Sequence, residues 1–270
     1  KGSVVISLDY PYKVQKPKNF HEFIMKYLLA FYHKRSLLAA DRIVAISDAA
    51  KRDTIEFFGA PESKITTIPH GYTNICALEE QKVDLPPRFF FFAGTLKERK
   101  NVMRIIQAFG KFKQKYPSLE HKLVIAGKKT GEYYQSLVTY VNSHALDSSV
   151  FFLGHVNDNH LSYIYRRAEA LVFPSLIEAT GNPIIEAMYC GLPVITSNIN
   201  GPAELGGNGS AILVDPSSVD DIMYGMDRVA NNPEYRAALV AKGHEQVKLF
   251  SWENAASSMI TLLTNVGHGV

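Results

Sequence analysis

The chain of 270 residues is poor in cysteine, has little excess charge and contains no long apolar run. Its two cysteines, Cys76 and Cys190, lie in no CxxC motif or Cys/His cluster. We therefore expect neither a disulfide framework nor a structural zinc site, and a reducing compartment. No run reaches the roughly 18–20 apolar residues of a membrane span, and the apolar part of residues 1–7 is too short for a signal peptide. These absences predict a cytosolic protein.

The overall charge is close to balanced. The chain holds 29 Lys and Arg against 26 Asp and Glu, a net charge of +3, which is too small a surplus to predict nucleic-acid binding. The hydrophobic fraction of 46% is enough to bury a sizeable core and excludes a disordered chain. At about 100–200 residues per domain, the length predicts two domains, or one complete domain and part of another.

The positive charge is concentrated near the start. Ten Lys and Arg against four Asp and Glu fall within residues 1–52. Residues 20–39 carry apolar side chains at helical spacing together with Lys26, Lys34 and Arg35, which predicts a basic amphipathic helix. One interpretation is docking on an anionic membrane surface. The interpretation we favour is a helix packed on its own domain with solvated lysines. The apolar positions are Phe20, Phe23, Ile24, Tyr27, Leu28, Phe31 and Tyr32.

Short apolar runs alternate with amphipathic segments along the whole chain. This alternation is typical of an α/β fold in which helices cover both faces of a parallel sheet. The predicted strands are Val4–Leu8, Ile43–Ile46, Ile65–Ile68, Phe89–Ala93, Leu123–Ala126, Val150–Leu153, Ala170–Phe173, Val194–Thr196 and Ile212–Val214. The predicted helices, besides 20–39, lie near 48–58, 101–115, 131–145, 158–167, 183–190 and 218–230.

A stretch without periodicity divides the chain. Residues 71–88 include the pair Pro86-Pro87 and look like a linker, which places a domain boundary near residue 84. The part after the boundary has the size of one doubly wound domain, and the part before it about half of one. We predict a partial α/β domain with its linker over 1–84, a complete Rossmann-like domain with a doubly wound parallel sheet over 85–250, and a final helix over 251–270.

The first candidate site follows the predicted strand Ala170–Phe173. Asn182 and Pro183 predict the N-cap and first residue of a helix. Glu178 then lies in the loop at the carboxyl end of the strand, where open parallel sheets bind ligands. Amides at the helix start suit a phosphate, with Gly181 allowing close approach.

One helical turn further on lies Glu186. Its carboxylate has the acceptor oxygens to bind two neighbouring sugar hydroxyls, as acidic residues bind ribose in dinucleotide folds. The alternative is a carboxylate that is merely favoured near the positive end of a helix.

A second candidate site follows the strand Phe89–Ala93. Gly94 opens a turn, and Arg99 and Lys100 directly precede Asn101, the predicted N-cap of the next helix. Cations at a helix N-terminus oppose the macrodipole, so an anion between them, such as a diphosphate, would explain the arrangement. The alternative is two solvated side chains. Because both loops follow strands of one parallel sheet, we expect them to converge on one ligand.

The spacing Glu178-x7-Glu186 within FPSLIEATGNPIIEAMYCGLPVITS resembles the family 4 glycosyltransferases, also called glycosyl transferases group 1. These are retaining sugar transferases with two facing Rossmann-like domains, the GT-B architecture. The other segments that carry the resemblance, in the family's order, are ADRIVAISDAAKRD (40–53), ITTIPHGY (65–72), AGTLKERKN (93–101), LVIAGK (123–128), FLGHV (152–156), Leu161–Ala168 and NINGPAELGGNGSAILVDP (198–216).

The resemblance implies roles for matching positions. Arg99 and Lys100 would hold the diphosphate of a nucleoside-diphosphate sugar, assisted by the backbone near Gly181 and Asn182. Glu178 would bind donor-sugar hydroxyls near the reacting carbon, so that Glu178, Lys100 and Arg99 form the catalytic set. Glu186 would bind the ribose.

Further positions complete the implied donor site. The loop at His155 and Val156 would form a wall against the base. His70, which precedes Gly71, is a candidate for substrate contact. Three further donor-side positions are Gly94, Thr95 and Thr180.

The resemblance also implies what accompanies the reaction. We expect no cofactor and no metal, since the family stabilises the leaving diphosphate with cations and helix dipoles and no Asp-x-Asp motif occurs in the chain. The expected partners are a nucleotide-sugar donor and a glycan or lipid-linked acceptor, without nucleic acid. The expected location is the cytoplasm or the inner face of the membrane. By analogy alone, the process is bacterial surface-polysaccharide assembly.

Two other functions stay open. The family's first domain normally needs about 150–200 residues, and only about 84 precede the linker here, so the chain is also interpretable as a donor-binding or regulatory module that needs a partner chain to complete the acceptor-side domain. A glycan phosphorylase of similar architecture would need a lysine-bound pyridoxal cofactor, for which no local signal is found.

Overall fold

The computed structural model describes residues 2–14, 16–17 and 19–267. Within them the chain forms parallel β-sheets flanked by helices. The strands are β1 (Val4–Ser7), β2 (Arg42–Ala45), β3 (Ile65–Thr67), β4 (Phe89–Ala93), β5 (Lys122–Ala126), β6 (Val150–Gly154), β7 (Ala170–Phe173), β8 (Val194–Ser197) and β9 (Ile212–Val214).

The helices occupy the segments between the strands and the end of the chain. They are α1 (Pro11–Val14), α2 (Phe20–Ala39), α3 (Asp48–Phe58), α4 (Val102–Lys115), α5 (Glu132–Ser143), α6 (Asp158–Tyr165), α7 (Asn182–Tyr189), α8 (Asn200–Leu205), α9 (Val219–Asn231), α10 (Pro233–Val247) and α11 (Trp252–Gly267). Short 3-10 turns lie at Glu62–Lys64, Ile75–Ala77, Glu98–Lys100 and Gly207–Gly209.

The predicted α/β class with parallel sheets is confirmed, and each predicted strand forms. Three helices, α1, α8 and α10, were not predicted from the sequence. The first two are short, and α10 has few buried side chains, among them Leu239 and Val247, so its apolar stripe is weak.

The chain divides into two compact units. The first comprises Lys1–Gly71, Ile177–Thr180 and Leu249–Val270, and the second comprises Tyr72–Leu176 and Gly181–Lys248. The sequence placed the boundary near residue 84, whereas the chain passes from one unit to the other at Tyr72. The final helix belongs to the first unit; its predicted last residues 268–270, including His268, lie outside the described residues.

The first unit contains a three-stranded parallel sheet in the order β1-β2-β3. Its core packs Ile43 and Ala45 of β2 against Leu37 of α2 and Phe58 of α3. These side chains come from consecutive β-α-β segments, which explains why the apolar residues of strand and helix alternate along the sequence.

The aromatic face of α2 is exposed. Phe20, Tyr27 and Phe31 keep 76%, 61% and 58% of their surface accessible, and Leu37 is the helix residue that is buried. The helix packs on its own unit, as the favoured interpretation expected, through Leu37. The aromatic positions that the sequence assigned to its apolar face nevertheless stay exposed. Of the basic residues within 1–52, Lys1 and Lys18 lie outside the described residues. No described helix is long and apolar enough to cross a bilayer.

The second unit contains a six-stranded parallel sheet in the order β6-β5-β4-β7-β8-β9. The four phenylalanines of β4, Phe89–Phe92, are fully buried, as expected for a central strand that is covered on both faces. The strand order reverses between β4 and β7. Open α/β sheets bind ligands in the crevice outside the carboxyl ends of their strands at such a point.

The opposite edge of this sheet holds a partly buried polar cluster. The Glu169 carboxylate, which precedes β7, lies 2.5 Å from Nε2 of the buried His121 and accepts a 2.9 Å hydrogen bond from Nε of Arg88. Burial alone would raise the pKa of Glu169, but the hydrogen bonds and charges of His121 and Arg88 outweigh it and lower this pKa. The cluster fixes the amino ends of β4, β5 and β7, away from the carboxyl-end crevice.

A disulfide joins Cys76, in the turn Ile75–Ala77, to Cys190 at the end of α7, with the two Cα atoms 5.5 Å apart. The expectation of no disulfide is wrong, and the expected reducing compartment loses the support that rested on it. The two cysteines are 114 residues apart and become neighbours only because the turn packs against α7, so their spacing carried no signal.

Candidate functional site

The turns that follow β4 and β7 touch each other at the strand reversal. The backbone N–H of Leu176 donates a 2.8 Å hydrogen bond to the carbonyl of Arg99. The Nζ atom of Lys100 lies 4.8 Å from the centre of the Phe173 ring at the end of β7. The Lys100 side chain is buried, with 7% of its surface exposed. The two turns therefore contact each other within the second unit.

Glycines shape the turn after β4. Gly94 has φ of +152°, and its N–H donates to the carbonyl of Ala126 at the end of β5. At the neighbouring Gly127, an added Cβ would lie 2.4 Å from the Gly94 carbonyl oxygen, so only glycine allows this approach. The turn closes with the 3-10 segment Glu98–Lys100, which presents Arg99 half-buried and Lys100 buried. Thr95 lies exposed in the same turn.

The start of α7 differs from the prediction in one detail. The N-cap is Gly181, not Asn182, and Asn182 is the first helical residue. Gly181 has φ of +117°, and a Cβ there would lie 2.9 Å from the Ile184 side chain, which explains the glycine. Pro183 has no N–H, and the amide of Ile184 donates to the Gly181 carbonyl. Fewer unbonded amides therefore remain at the start of α7 than the sequence predicted. The Asn182 side chain accepts a hydrogen bond from the Tyr72 hydroxyl.

Glu186 lies on α7 beside a residue that the sequence analysis missed. The hydroxyl of Tyr165, at the end of α6, donates a 2.8 Å hydrogen bond to Oε2 of Glu186. Burial raises the pKa of Glu186, and the Tyr165 hydrogen bond offsets part of this rise. Burial beside the carboxylate also keeps the pKa of Tyr165 well above its usual value. Tyr165 therefore fixes the orientation of the carboxylate. Its only sequence signal was an aromatic residue in an amphipathic helix.

The loop after β6 reaches the same edge of the sheet. Gly154 has φ of +88° and accepts a 2.8 Å hydrogen bond from the amide of Gly127, which joins this loop to the one after β5. His155 is exposed and Val156 half-buried, as expected for residues that line a surface rather than fill a core.

Three predicted site residues belong to the first unit. Glu178 and Thr180 lie in the segment Ile177–Thr180, and His70 precedes the boundary at Gly71. Ala179 of the same segment packs in the first unit's core with Tyr10 and Phe58. Glu178 and His70 are half-buried, whereas Thr180 is buried.

Across the described part of the chain, no group of three or more His, Cys, Asp or Glu side chains is arranged to hold a metal ion.

Curated relatives share this sequence over most of its length. The O-antigen chain mannosyltransferase B of Escherichia coli is 30% identical over 246 residues, which cover 87% of this chain and 63% of the relative. The serotype-specific mannosyltransferase WbdA of Escherichia coli is 29% identical over 264 residues, which cover 92% of this chain and 31% of that protein. The chain therefore spans less than two thirds of the length of either relative.

Solved structures share the fold. The sucrose-phosphate synthase of Thermosynechococcus elongatus superposes with a TM-score of 0.80 at 23% identity, covering 96% of this chain and 66% of that one. The Anabaena protein HepE, in complex with UDP and glucose, superposes with a TM-score of 0.81 at 16% identity, covering 97% of this chain and 71% of that one. These similarities show the GT-B architecture, with a partial N-terminal part.

Two family models together account for most of the sequence. The model named Glycosyltransferase Family 4 matches residues 6–73. The model named Glycosyl transferases group 1 matches residues 77–246, which include the paired turns, Glu178 and Glu186. The chain belongs to the group 1 glycosyl transferases.

Proposed function

We propose that the second unit binds a nucleoside-diphosphate sugar and that the protein transfers this sugar to a glycan or lipid-linked acceptor with retention of configuration. One observation carries the proposal: the turn that holds Arg99 and Lys100 is hydrogen-bonded to the turn before α7 at the strand reversal. A half-buried and a buried cation beside the carboxyl ends of parallel strands are suited to a diphosphate.

The same cations have a chemical role in the transfer. As the bond between the sugar and the diphosphate breaks, negative charge develops on the departing oxygen. Positive groups that are already in place stabilise this charge without reorganising, and such stabilisation commonly contributes more to catalysis than any other effect. Arg99 and Lys100 would supply it, with the backbone at Gly181 and Asn182 assisting, and we propose that no metal or cofactor is needed.

The remaining donor contacts follow from chain position. Glu186, held by Tyr165, would accept hydrogen bonds from the ribose hydroxyls. The loop at His155 and Val156 would lie against the base. Glu178 follows β7 by five residues and precedes Gly181 by three, and we propose that it binds hydroxyls of the donor sugar near the reacting carbon.

The relatives support a hexose and an acceptor in a surface polysaccharide. Two proteins named mannosyltransferases resemble the chain at about 30% identity, and one of them is named for the O-antigen chain. Mannose is therefore the first donor sugar to test. Location in the cytoplasm, or at the inner face of the membrane, follows as part of the same proposal.

Thermal unfolding of the chain with UDP, GDP or ADP tests the donor site. A ligand that binds only the native state stabilises it by RT ln(1 + [L]/Kd), about 2.7 kcal/mol at 100 times Kd. We expect at least one nucleoside diphosphate to raise Tm, the matching nucleoside to raise it much less, and EDTA to leave the shift unchanged. If none of the three diphosphates raises Tm, the donor site is contradicted.

The alternative of a donor-binding module makes a different prediction in the same system. If a nucleotide binds, but neither sugar transfer nor donor hydrolysis is detected and Glu178→Gln changes nothing, the chain needs a partner to form an active enzyme.

The exposed face of α2 supports a further proposal about the acceptor side. We propose that additional α/β structure of the acceptor-side domain covers this face. The first unit has three strands, β1 is an edge strand with Ile6 exposed, and the chain spans 63% of the length of the Escherichia coli O-antigen mannosyltransferase. Exposed aromatic patches of this kind mark interaction surfaces.

Replacing Phe20, Tyr27 and Phe31 together by serine tests this assignment. We expect the triple variant to bind less of a hydrophobic dye such as ANS and to associate less with itself in sedimentation, with Tm nearly unchanged because these side chains are exposed. Binding to vesicles of phosphatidylcholine and phosphatidylglycerol tests the alternative that this face docks on an anionic membrane. Salt-sensitive binding to the anionic vesicles that is lost in the variant would overturn the proposal in favour of a membrane surface.

A further inference from the structure

Asn101 occupies an unusual place at the end of the turn after β4. Its backbone is left-handed, with φ of +62°, and its side chain is buried, with 2% of its surface exposed. Asn101 is the N-cap residue of α4, as the sequence predicted, but its side chain makes no capping hydrogen bond.

The Asn101 side chain joins three loops. Its Nδ2 donates one hydrogen bond of 2.9 Å to the carbonyl of Pro174, after β7, and another of 2.6 Å to the carbonyl of Pro216, after β9. Its Oδ1 accepts a 2.9 Å hydrogen bond from Arg104 on α4. Both proline carbonyls would otherwise lack this buried donor, and a buried acceptor without a partner is costly.

Asparagine is suited to this position for two reasons. It adopts the left-handed region more readily than other residues with a Cβ, and its amide provides two N–H donors beside an acceptor. Glycine would adopt the same left-handed backbone conformation but would lose the two hydrogen bonds to the Pro174 and Pro216 carbonyls, which we call the Asn101 bridges. Aspartate would keep the shape but place an acceptor against two carbonyl oxygens.

We propose that Asn101 is a positioning residue that fixes Arg99 and Lys100 against the end of β7 so that both cations meet the donor diphosphate. The inference rests on the proposed function. Lys100 is adjacent to Asn101 in sequence, and its Nζ lies over the Phe173 ring, one residue before Pro174. If the bridge to Pro174 is removed, the turn after β4 loses one link to the end of β7, while the Leu176–Arg99 backbone bond stays in place.

The experiment compares Asn101→Gly with Asn208→Gly. Asn208 is also left-handed, with φ of +57°, but lies exposed in the turn Gly207–Gly209. Both variants therefore make the same backbone change, and only the first removes the bridges. Isothermal titration, at a temperature where circular dichroism shows each variant folded, gives the Kd of the nucleoside diphosphate and of the matching monophosphate.

We expect the affinity ratio of diphosphate to monophosphate to fall at least tenfold in Asn101→Gly and to stay within twofold of wild type in Asn208→Gly. A lower Tm with an unchanged ratio would overturn the inference and leave Asn101 a purely structural residue. Asn101→Asp is the second variant, with the same loss expected. Failure of both Asn101 variants to fold would also overturn the inference. Failure of the wild type to bind any nucleoside diphosphate would instead contradict the proposed function.

Discussion

Replacing Lys100 by alanine is expected to remove about half or more of the rise in Tm that a nucleoside diphosphate produces at 100 times its wild-type Kd. A buried hydrogen bond to a charged group contributes about 1.5–3 kcal/mol, so the loss of this ammonium corresponds to roughly a 10- to 150-fold weaker Kd, at about 1.4 kcal/mol per factor of ten. The measurement is thermal unfolding with and without nucleotide, followed by titration calorimetry.

Two further variants separate charge from packing. Lys100→Met keeps an apolar stem against Phe173 and is expected to weaken nucleotide binding as much as the alanine variant does. Lys111→Ala removes a cation from α4 that pairs with Asp220 at the surface, and exposed pairs contribute little, so binding should be unchanged. Equal weakening in all three variants would mean that net charge, rather than the turn after β4, governs binding.

Reduction of the Cys76–Cys190 disulfide is expected to produce the largest loss of stability. The bond joins two residues of the second unit that are 114 positions apart in the sequence. In the chain-entropy model, such a crosslink stabilises the native state by about 5 kcal/mol, because it restricts the unfolded chain. We expect urea unfolding of this unit to shift to lower denaturant on addition of a reductant.

The double variant Cys76→Ser with Cys190→Ser serves as the control. It should unfold at the reduced protein's midpoint, and the reductant should not move it further. Titration of free thiols shows whether the disulfide has been reduced. If the wild-type protein is reduced and its urea midpoint does not change, the stabilising role of the disulfide is contradicted. The nucleotide-induced shift should persist in the reduced protein, since neither cysteine belongs to the proposed diphosphate site.

The fold was largely predictable because strand periodicity is a local property. The four adjacent phenylalanines of β4 indicate a strand covered on both faces, and the structure places them there. The exposed face of α2 was not predictable in the same way. An apolar stripe at helical spacing indicates that a helix has a face to bury, but it does not say whether a partner surface is present.

The candidate site was likewise predictable only where its residues form local patterns in the sequence. Gly94, Arg99 and Lys100, and Gly181 with Glu186, are local patterns around strand ends, and the sequence therefore located both turns. Tyr165 and the bridges of Asn101 could not be found this way, since each joins segments that are distant in sequence: 21 residues separate Tyr165 from Glu186, and 115 separate Asn101 from Pro216.

The amino-acid order alone determined which segments become strands and helices and which turns carry cations and carboxylates, because each of these depends on residues that are near in sequence. It also determined which family the chain resembles, through short segments that occur in the family's order. Only the tertiary structure decided which carbonyls Asn101 joins, that Cys76 meets Cys190, and that the aromatic face of α2 remains exposed. Those outcomes depend on the order of strands across a sheet and on which surfaces meet when it is packed, and neither is encoded in local spacing.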